Sequence, residues 1–331
     1  MAKKKFSKVK KILKIILPSF VFSYPSFRLY NFFQKSTGYL LERWLSSRSI
    51  GYWPNIKNPQ SYNEKIIWKK IYDRNPLLTI VADKYKVRDY VKSVLGEEVA
   101  EKILVPLYFV TDNPKEIPFD NLPEEYIVKV NNGAGKFIIA EKTDIGTLFR
   151  FNDGKSNFIL YDSDKTRKMI IHLCKKWLSE TCGFSSLEWA YQQIKRKIII
   201  EKLLKNNIGE IPEDYKFNIF NGKCHLIQVY YDRFNNIKRS WYTPDWEYIP
   251  VHHSVEYRDK PDNLREMIIV AEKLGANFDF IRVDLYSVNN NTYFGELTNY
   301  PMGGRTPFYP ISWDFEWGSK WKLSPKYWKK Q

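Results

Sequence analysis

The sequence is poor in the residues that build metal clusters and disulfide frameworks. Its 331 residues include only three cysteines and four histidines. Cys174, Cys182 and Cys224 are odd in number, and their spacing fits neither a zinc site nor a set of disulfides. We therefore expect free thiols in a reducing compartment, and we predict a cytoplasmic protein.

The sequence also lacks an apolar run long enough to cross a bilayer. The apolar stretch over residues 12–22 follows a lysine-rich start, is interrupted by Lys14 and Pro18, and has no small-residue cleavage site after it. Helical spacing predicts a basic amphipathic helix in this extension, with one apolar face formed by Val9, Ile12, Leu13 and Ile16. Two interpretations remain open: the helix lies peripherally on the inner face of the cell membrane, or it docks on the protein's own body.

Acidic residues are missing from both ends of the chain. Seven lysines lie within residues 3–14 and five within residues 320–330, and no acid interrupts either group. These two groups account for most of the net charge of +16. A nucleic-acid-binding protein usually carries its basic surface on the folded domain, so we predict no nucleic-acid partner and expect contact with an anionic membrane surface instead.

What is present is a succession of helices and antiparallel hairpins, which predicts an α+β fold. Ser61 and Glu64 form a capping box at the start of a helix. Residues 103–110 read as a strand, and Asn221-Gly222 is a strong hairpin signal. Two further hairpins are predicted over 126–141 and 279–297. We divide the chain into an N-terminal segment and linker (1–58), a first lobe (59–200) and a second lobe (201–331).

The last predicted hairpin carries two acidic residues that can meet. Arg282 and Asp284 share a face of one strand, and the turn brings Glu296 of the next strand near Asp284. Two carboxylates so placed can hold Mg²⁺, which prefers oxygen ligands. Acids at strand ends are also often solvated or ion-paired, so this alternative stays open.

Lys129 precedes a loop that contains Gly133 and Gly135. Glycines let backbone N–H groups approach an anion, so this hairpin can clamp a triphosphate, although an ordinary edge strand and turn fit as well. The spacing is neither a Walker A loop nor a dinucleotide-binding fingerprint.

Two more strands offer candidate ligands for a nucleotide. Glu201 to Leu204 follow a run of three isoleucines, and such a strand end can present backbone groups to an adenine edge, or be a plain core strand. Asp214 and Lys216 point to one face of the next strand, where Lys216 either reaches a γ-phosphate or pairs with Asp214.

A different function is suggested by Asp162-Ser163-Asp164, which follows an apolar strand-like run. This is the pattern of an Asp-x-Asp metal site for a nucleotide sugar, and it predicts a metal-dependent glycosyltransferase that uses Asp162 and Asp164. The same three residues also suit the cap of the helix that follows.

The order of these motifs resembles the TupA-like ATP-grasp family of cell-surface polysaccharide biosynthesis, over roughly residues 61–301. The stretches that carry the resemblance are Asn63-Glu64-Lys65, Ala82-Asp83-Lys84-Tyr85-Lys86-Val87-Arg88, Leu122-Pro123, Val128-Lys129, Asp214-Tyr215-Lys216, Arg282-Val283-Asp284-Leu285-Tyr286 and Phe294-Gly295-Glu296-Leu297-Thr298. Three departures are Asn132 beside the first lid glycine, Thr298 two residues after Glu296, and Asn299 in place of an aromatic residue.

The resemblance implies an ATP-grasp fold, in which two α+β lobes clamp ATP and Mg²⁺ between antiparallel sheets. The roles that it implies are phosphate contacts for Lys84 and Lys129, a flexible lid for Gly133 and Gly135, the adenine hinge for Glu201 and Leu203, the terminal phosphate for Lys216, the transferring phosphoryl group or substrate carboxylate for Arg282, and magnesium for Asp284 and Glu296 with Thr298 or Asn299.

The implied activity is an ATP-dependent carboxylate–amine ligase that works through an acyl phosphate. We expect the partners to be an acidic sugar or polysaccharide precursor and an amine donor, with residues 301–310 forming part of the acceptor pocket. The rivals are the glycosyltransferase and a membrane-bound scaffold without nucleotide binding, which the basic ends alone suggest.

Overall fold

The computed structural model describes residues 24–133, 135–152, 157–231, 238–251 and 256–324. The lysine-rich helix predicted near Val9 and the end of the basic tail beyond residue 324 lie outside these ranges. No helix within them is both long and apolar enough to cross a membrane. In the same ranges Cys174, Cys182 and Cys224 form no disulfide, as predicted.

Helices and strands follow one another in a mixed order. The helices are α1 (Tyr24–Ser36), α2 (Leu40–Ile50), α3 (Tyr62–Tyr72), α4 (Leu77–Ala82), α5 (Val87–Leu95), α6 (Glu97–Ile103), α7 (Asp164–Ser179), α8 (Trp189–Gln192), α9 (Leu264–Gly275) and α10 (Ser312–Lys320). The strands are β1 (Leu107–Thr111), β2 (Tyr126–Val130), β3 (Phe137–Thr143), β4 (Gly146–Asn152), β5 (Asn157–Tyr161), β6 (Ile198–Lys202), β7 (Asp214–Phe220), β8 (Lys223–Tyr231), β9 (Lys238–Tyr242), β10 (Phe280–Val288) and β11 (Asn291–Thr298).

The first sheet has six strands in the order β1-β6-β2-β3-β4-β5, and every neighbouring pair is antiparallel. Its core forms where α7 packs on the sheet, and Trp177 of the helix shares a cluster with Val128, Ile138 and Phe149. Strand β6 lies between β1 and β2, so the run of isoleucines from 198 to 200 is buried on an interior strand of the sheet.

The second sheet has five antiparallel strands in the order β11-β10-β7-β8-β9. Both hairpins predicted here are present. Asn221 (φ 48°) and Gly222 (φ 84°) form the two-residue turn between β7 and β8, where positive φ angles at both positions match the twist of the strands. Asn289 and Asn290 turn the chain from β10 into β11.

Helices α3 to α6 pack in the core of the second sheet, although they precede the first sheet in the chain. Tyr62, Ile66 and Val91 belong to the same buried cluster as Phe217 and Phe280. The two cores therefore divide the chain differently from the boundary predicted at residue 200, which also falls inside β6. The cause is non-local, because the chain begins in the core of the second sheet, builds the six-stranded first sheet and then returns to the second sheet.

The α+β class and the capping box are confirmed. The backbone N–H of Glu64 donates to Ser61 Oγ at 3.1 Å, and Glu64 Oε2 accepts from the N–H of Ser61 at 3.1 Å. The strand predicted over residues 103–110 is wrong in its first part, because α6 continues to Ile103 and β1 begins only at Leu107. Buried Ile103 and Leu104 face the second core, and local sequence does not distinguish a helix end from a strand start there.

Candidate functional site

A cavity of about 290 Å³ contains most of the residues that sequence analysis assigned to a nucleotide and a metal ion. Both sheets contribute to its wall, since β2, β3 and β6 belong to the first and β10 and β11 to the second. The predicted residues that line it are Lys84, Lys129, Gly133, Gly135, Glu201, Leu203, Asp284 and Glu296. Residues 200 positions apart in the chain are thus brought to one place.

Asp284 and Glu296 are direct partners across β10 and β11. Asp284 accepts two hydrogen bonds of 2.7 Å from the Arg282 guanidinium and one of 2.5 Å from Lys216 Nζ. Lys84 Nζ lies 2.8 Å from Glu296 Oε2. Three cationic side chains therefore converge on two carboxylates. The ion pairing that sequence analysis left open for Asp284 and Glu296, as an alternative to a metal site, is thus present.

The charges around Glu296 outweigh the effect of its burial. Burial alone raises the pKa of its carboxyl group, but Lys84, Lys216 and Arg282 together hold this pKa below its usual range. For Asp284, burial raises the pKa despite the opposing fields of Arg282 and Lys216. Glu296 is consequently ionised at neutral pH and available to a metal ion.

The donor set at this position suits Mg²⁺. Asp284 and Glu296 supply carboxylate oxygens, and Thr298 Oγ donates to Glu296 Oε1 at 3.2 Å, so the hydroxyl lies beside them. Within the described residues no group of three or more His, Cys, Asp or Glu side chains is arranged for a metal ion. Magnesium with two protein carboxylates normally completes its octahedral shell with phosphate oxygens and water, so the pair fits an ion that arrives with a nucleotide.

The structure separates the two candidates for the third ligand. Thr298 lies on the same face of β11 as Glu296, whereas Asn299 is fully buried and its Nδ2 donates to the carbonyl of Leu78 at 2.8 Å. Neither residue lines the cavity itself. Thr298 lies beside Glu296, whereas Asn299 Oδ1 is buried and has no hydrogen-bond partner in the described residues, so both stay candidates for the third ligand.

Lys129 and Glu201 face each other across the paired strands β2 and β6. Lys129 Nζ lies 3.1 Å from Glu201 Oε2, and Arg88 Nη1 lies 3.4 Å from Glu201 Oε1. Burial lowers the pKa of Lys129, but Glu201 and the other acids around it raise this pKa more, so the ammonium group is charged. In the sequence, Arg88 was only the last residue of the stretch Ala82 to Arg88 that carries the family resemblance, and the contact with Glu201 adds it to the site.

The glycine loop is held at its base and open at its tip. Lys84 Nζ donates to the carbonyl of Gly133 at 2.9 Å, and the N–H of Lys84 donates to the carbonyl of Asn131 at 2.9 Å. Gly135 has φ 71°, a conformation that glycine adopts without strain, and an added Cβ would meet nothing within 4 Å. The surroundings of Gly135 are therefore open.

The apolar part of the cavity was not anticipated residue by residue. Leu203 was predicted at the adenine hinge, and it is joined by Val105, Ile127, Ile139, Ile211, Pro212 and Phe294. Their side chains come from five different segments, and only the sheet order shows that they meet. Such a surface fits a planar base, because ligand pockets are mostly apolar with few polar groups.

A row of side chains continues from the metal position across the second sheet. Lys216 is the partner of Asp284, Tyr230 is the partner of Asp214, and Arg239 is the partner of Tyr230, so all of them share one face. Lys216 Nζ lies 4.8 Å and Arg239 Cζ 4.9 Å from the centre of the Tyr230 ring.

Arg239 was missed by sequence analysis, because its face depends on the register of three strands. Its Nε atom is buried and donates to no acceptor in the described part of the chain. Lys216, in contrast, pairs with both Asp214 and Asp284 at 2.5 Å. The pairing of Lys216 with Asp214, one of the two predicted alternatives, is therefore present.

A larger cavity of about 740 Å³ contains none of the predicted site residues. Both arginines that line it are already paired with acids of the same cavity. Arg150 lies 2.5 Å from Glu141, and Arg258 forms an ion pair with Glu213. In the smaller cavity, by contrast, cations surround carboxylates that are suited to a metal ion.

Two other predicted features lie elsewhere. Ser163 caps α7, accepting from the N–H of Thr166 at 3.2 Å, and Asp162 is held by two hydrogen bonds from Arg167 at 3.0 and 2.8 Å. This geometry is that of the helix cap rather than of an Asp-x-Asp metal site. Residues 301–310 do not line the cavity; Arg305 of this segment contacts Glu42 of α2 at 2.7 Å.

The two sheets and the convergent site between them are those of an ATP-grasp protein. The sequence matches the TupA-like ATP-grasp family over residues 64–322, so the chain belongs to that family and the predicted family is confirmed. No curated protein matches the chain in sequence.

Several solved structures are similar to the chain. D-alanine–D-alanine ligase from Bacillus anthracis, complexed with ATP, is 16% identical with a TM-score of 0.37, over 67% of this chain and 55% of its own. The corresponding ligase from Helicobacter pylori is 12% identical with a TM-score of 0.40, over 80% and 67% of the two chains. D-cycloserine synthetase DcsG is 11% identical with a TM-score of 0.38, over 74% and 69%. The chain thus spans little more than half the length of the B. anthracis ligase.

Proposed function

We propose that the protein is an ATP-dependent carboxylate–amine ligase that modifies an acidic sugar of a cell-surface polysaccharide precursor. The observation that carries the ATP-dependent part is the cavity between the two sheets. It combines an apolar end at Leu203, a glycine loop, lysines and a pair of carboxylates. These are the groups that an adenine ring, a triphosphate and Mg²⁺ require.

The proposed reaction has two steps, formation of an acyl phosphate and its conversion to an amide. An oxygen of the acceptor carboxylate attacks the γ-phosphorus of ATP, and ADP leaves. An amine then attacks the acyl carbon of the resulting acyl phosphate, phosphate leaves, and the nitrogen loses a proton as the amide forms. Mg²⁺, when bound to Asp284 and Glu296, supplies charge neutralisation for the phosphates.

The chain's own residues position the reactants. Lys84 and Lys129 balance phosphate charge, and the loop with Gly133 and Gly135 closes over the phosphates and excludes water. Lys216 and Arg282 both contact Asp284, and we assign to them the terminal phosphate of ATP. No protein nucleophile is needed, because such transfers depend on positioning and charge stabilisation.

Arg239 supports an acidic acceptor. It lies on the same face as Lys216, and its buried Nε makes no hydrogen bond within the described residues. A carboxylate is the group that best satisfies a guanidinium. We assign to Arg239 an anionic group of the acceptor other than the one that reacts.

The test measures ADP release from ATP and Mg²⁺ with a panel of uronates and uronic-acid oligomers, each combined with amino acids. We expect release that depends on both an acidic sugar and an amine, with amide products in the mass spectrum. ATP with Mg²⁺ should also raise the melting temperature, because a ligand that binds only the folded state stabilises it. An unchanged melting temperature in the presence of ATP and Mg²⁺ would contradict the proposal.

Two matched variants separate the ligase from the glycosyltransferase. Asp284→Asn should abolish ADP release, because it removes a carboxylate from the metal pair. Asp162→Asn should retain the activity, because Asp162 is held by Arg167 at the start of α7. The opposite result would favour the glycosyltransferase.

A further inference from the structure

Helix α1 presents a row of large apolar side chains to solvent. Leu29, Phe32 and Phe33 are 69%, 70% and 53% exposed. Their spacing of three and four residues puts them on one face of the helix. Isolated exposed apolar residues are ordinary, but a contiguous face of this kind marks an interaction site. We call these three residues the α1 face.

The next helix continues the pattern. On α2, Leu40 is 53% and Trp44 is 37% exposed, and the two are one turn apart. The Arg48 guanidinium lies 5.2 Å from the centre of the Trp44 ring. A tryptophan beside an arginine suits the boundary between lipid headgroups and acyl chains, where the ring is partly buried and the cation stays among phosphates.

The charge of this part of the chain has one sign. Residues 1–41 contain nine lysines and arginines and no acidic residue. The first acid is Glu42, which is fully buried and pairs with Lys70 at 2.7 Å. The region that carries the α1 face therefore attracts an anionic surface and contains nothing that repels it.

The two helices are fixed on the body without using the α1 face. Tyr30 donates to the carbonyl of Ser185 at 3.2 Å, and Glu42 joins α2 to Lys70 and Arg305. Both helices also precede the family match, which begins at residue 64. The exposed side chains thus belong to an addition to the ATP-grasp body, and the packing of that body leaves them uncovered.

We propose that the α1 face docks on an anionic lipid bilayer, with Leu29, Phe32 and Phe33 among the upper acyl chains, and that the positive charge of residues 1–41 attracts the chain to the headgroups. A second copy of the chain is a poorer occupant, because two such regions would bring like charges together. An acidic protein would satisfy the charge, but three apolar side chains on a single helix suit the interface of a bilayer, where amphipathic helices lie.

The test is co-sedimentation of the full chain with vesicles of phosphatidylcholine alone, and with vesicles in which part of it is replaced by phosphatidylglycerol. We expect binding to the mixed vesicles, weaker binding to phosphatidylcholine, and a loss of binding at high salt. Leu29→Ser/Phe32→Ser/Phe33→Ser should weaken binding by at least about tenfold, because burying even one such side chain is worth roughly that factor.

The matched control removes equally exposed side chains from other surfaces. Ile145, Ile208 and Tyr257 are 75%, 76% and 70% exposed, and Ile145→Ser/Ile208→Ser/Tyr257→Ser should bind vesicles like the wild type. Lys10→Gln/Lys11→Gln/Lys14→Gln should weaken binding to the mixed vesicles only. The α1-face variant and the matched control should keep the wild-type melting temperature, because the residues changed in both are exposed.

Four results would overturn the proposal: no binding of the wild type to the mixed vesicles, equal binding to both vesicle types, equal loss in the matched control, or unchanged binding of the α1-face variant. Sedimentation velocity measures the oligomeric state and so tests whether the α1 face joins two copies of the chain instead. If the wild type is a dimer, the α1-face variant is a monomer and neither binds vesicles, the α1 face is an interface between copies of the chain.

Discussion

Thr298 and Asn299 are neighbours on the last strand and its exit, and their side chains point to opposite sides. Thr298 contacts Arg282 and Glu296, whereas Asn299 is bonded to the carbonyl of Leu78. The sequence left both open as metal ligands, because alternation fixes relative faces but not which face looks into a cavity. The register of β10 and β11 places Thr298 beside Arg282 and Glu296.

Changing these two residues should therefore have separate effects. Thr298→Ala should raise the Mg²⁺ concentration needed for half-maximal ADP release and leave the melting temperature almost unchanged. Asn299→Ala should lower the unfolding free energy by about 1–3 kcal/mol, because the buried Leu78 carbonyl loses its donor. Mg²⁺ titrations and thermal melts of both variants measure this, and an exchange of the two phenotypes would show that Asn299 is the ligand.

Arg239 makes a second prediction at the scale of one residue. Arg239→Gln should raise the KM for the acidic acceptor by about tenfold or more, because a charge-assisted hydrogen bond is lost, and should leave the KM for ATP unchanged. Arg150→Gln is the control, since Arg150 is paired with Glu141 outside the nucleotide cavity. Equal effects of Arg239→Gln on both KM values would place the residue in the ATP site instead.

At the scale of elements, the sequence patterns predicted those features that depend on interactions between residues close in the chain. The hairpins at Asn221-Gly222 and at residues 289–290, the capping box at Ser61 and the glycine loop all depend on residues close in sequence. The position of β6 between β1 and β2 does not. The sequence patterns consequently did not predict which apolar residues meet around Leu203, or the placement of α3 to α6 in the second core.

Helix α2 is joined to the body by a buried ion pair. Glu42 and Lys70 are both inaccessible to solvent, and Lys70 also donates to the carbonyl of Gly303 at 2.8 Å. Glu42→Ala removes one partner and leaves an uncompensated buried ammonium, so we expect a loss of about 3–5 kcal/mol in the unfolding free energy. Urea unfolding followed by fluorescence measures the loss.

Two comparisons sharpen this expectation. Glu97→Ala breaks the exposed pair between Glu97 and Lys92 and should leave the urea midpoint near that of the wild type. Glu42→Leu/Lys70→Met removes both charges and should recover most of the stability that Glu42→Ala loses. A double variant as unstable as the single one would mean that packing of α2, rather than the unpaired charge, sets the cost.

At the scale of the whole molecule, α10 near the end of the described residues packs on the start of α3. Lys65 Nζ donates to the carbonyls of Gly318 and Trp321 at 2.7 and 2.5 Å. A Cβ on Gly318 would lie 2.6 Å from the carbonyl carbon of Ser61, which is closer than van der Waals contact allows. The approach of α10 to α3 therefore depends on the absence of a side chain at this position.

Gly318→Ala should separate the two helices and lower the unfolding free energy by about 3 kcal/mol. Ser319→Ala, one residue further on the exposed side of α10, should be close to neutral. Differential scanning calorimetry on both variants measures the difference. Equal melting temperatures for Gly318→Ala and the wild type would show that α10 can shift without cost, contrary to the close packing described here.

The ring of Tyr62 at the start of α3 contacts the rings of Phe280, Phe308 and Trp321. On the ribosome, Tyr62 leaves the exit tunnel long before these partners have been synthesised. The early-synthesised helix α3 therefore packs against aromatic rings that are synthesised late. Until Trp321 emerges, the apolar side of α3 around Tyr62 is incompletely covered in the nascent chain. During translation this surface is open to chaperones until the last of these rings has been synthesised.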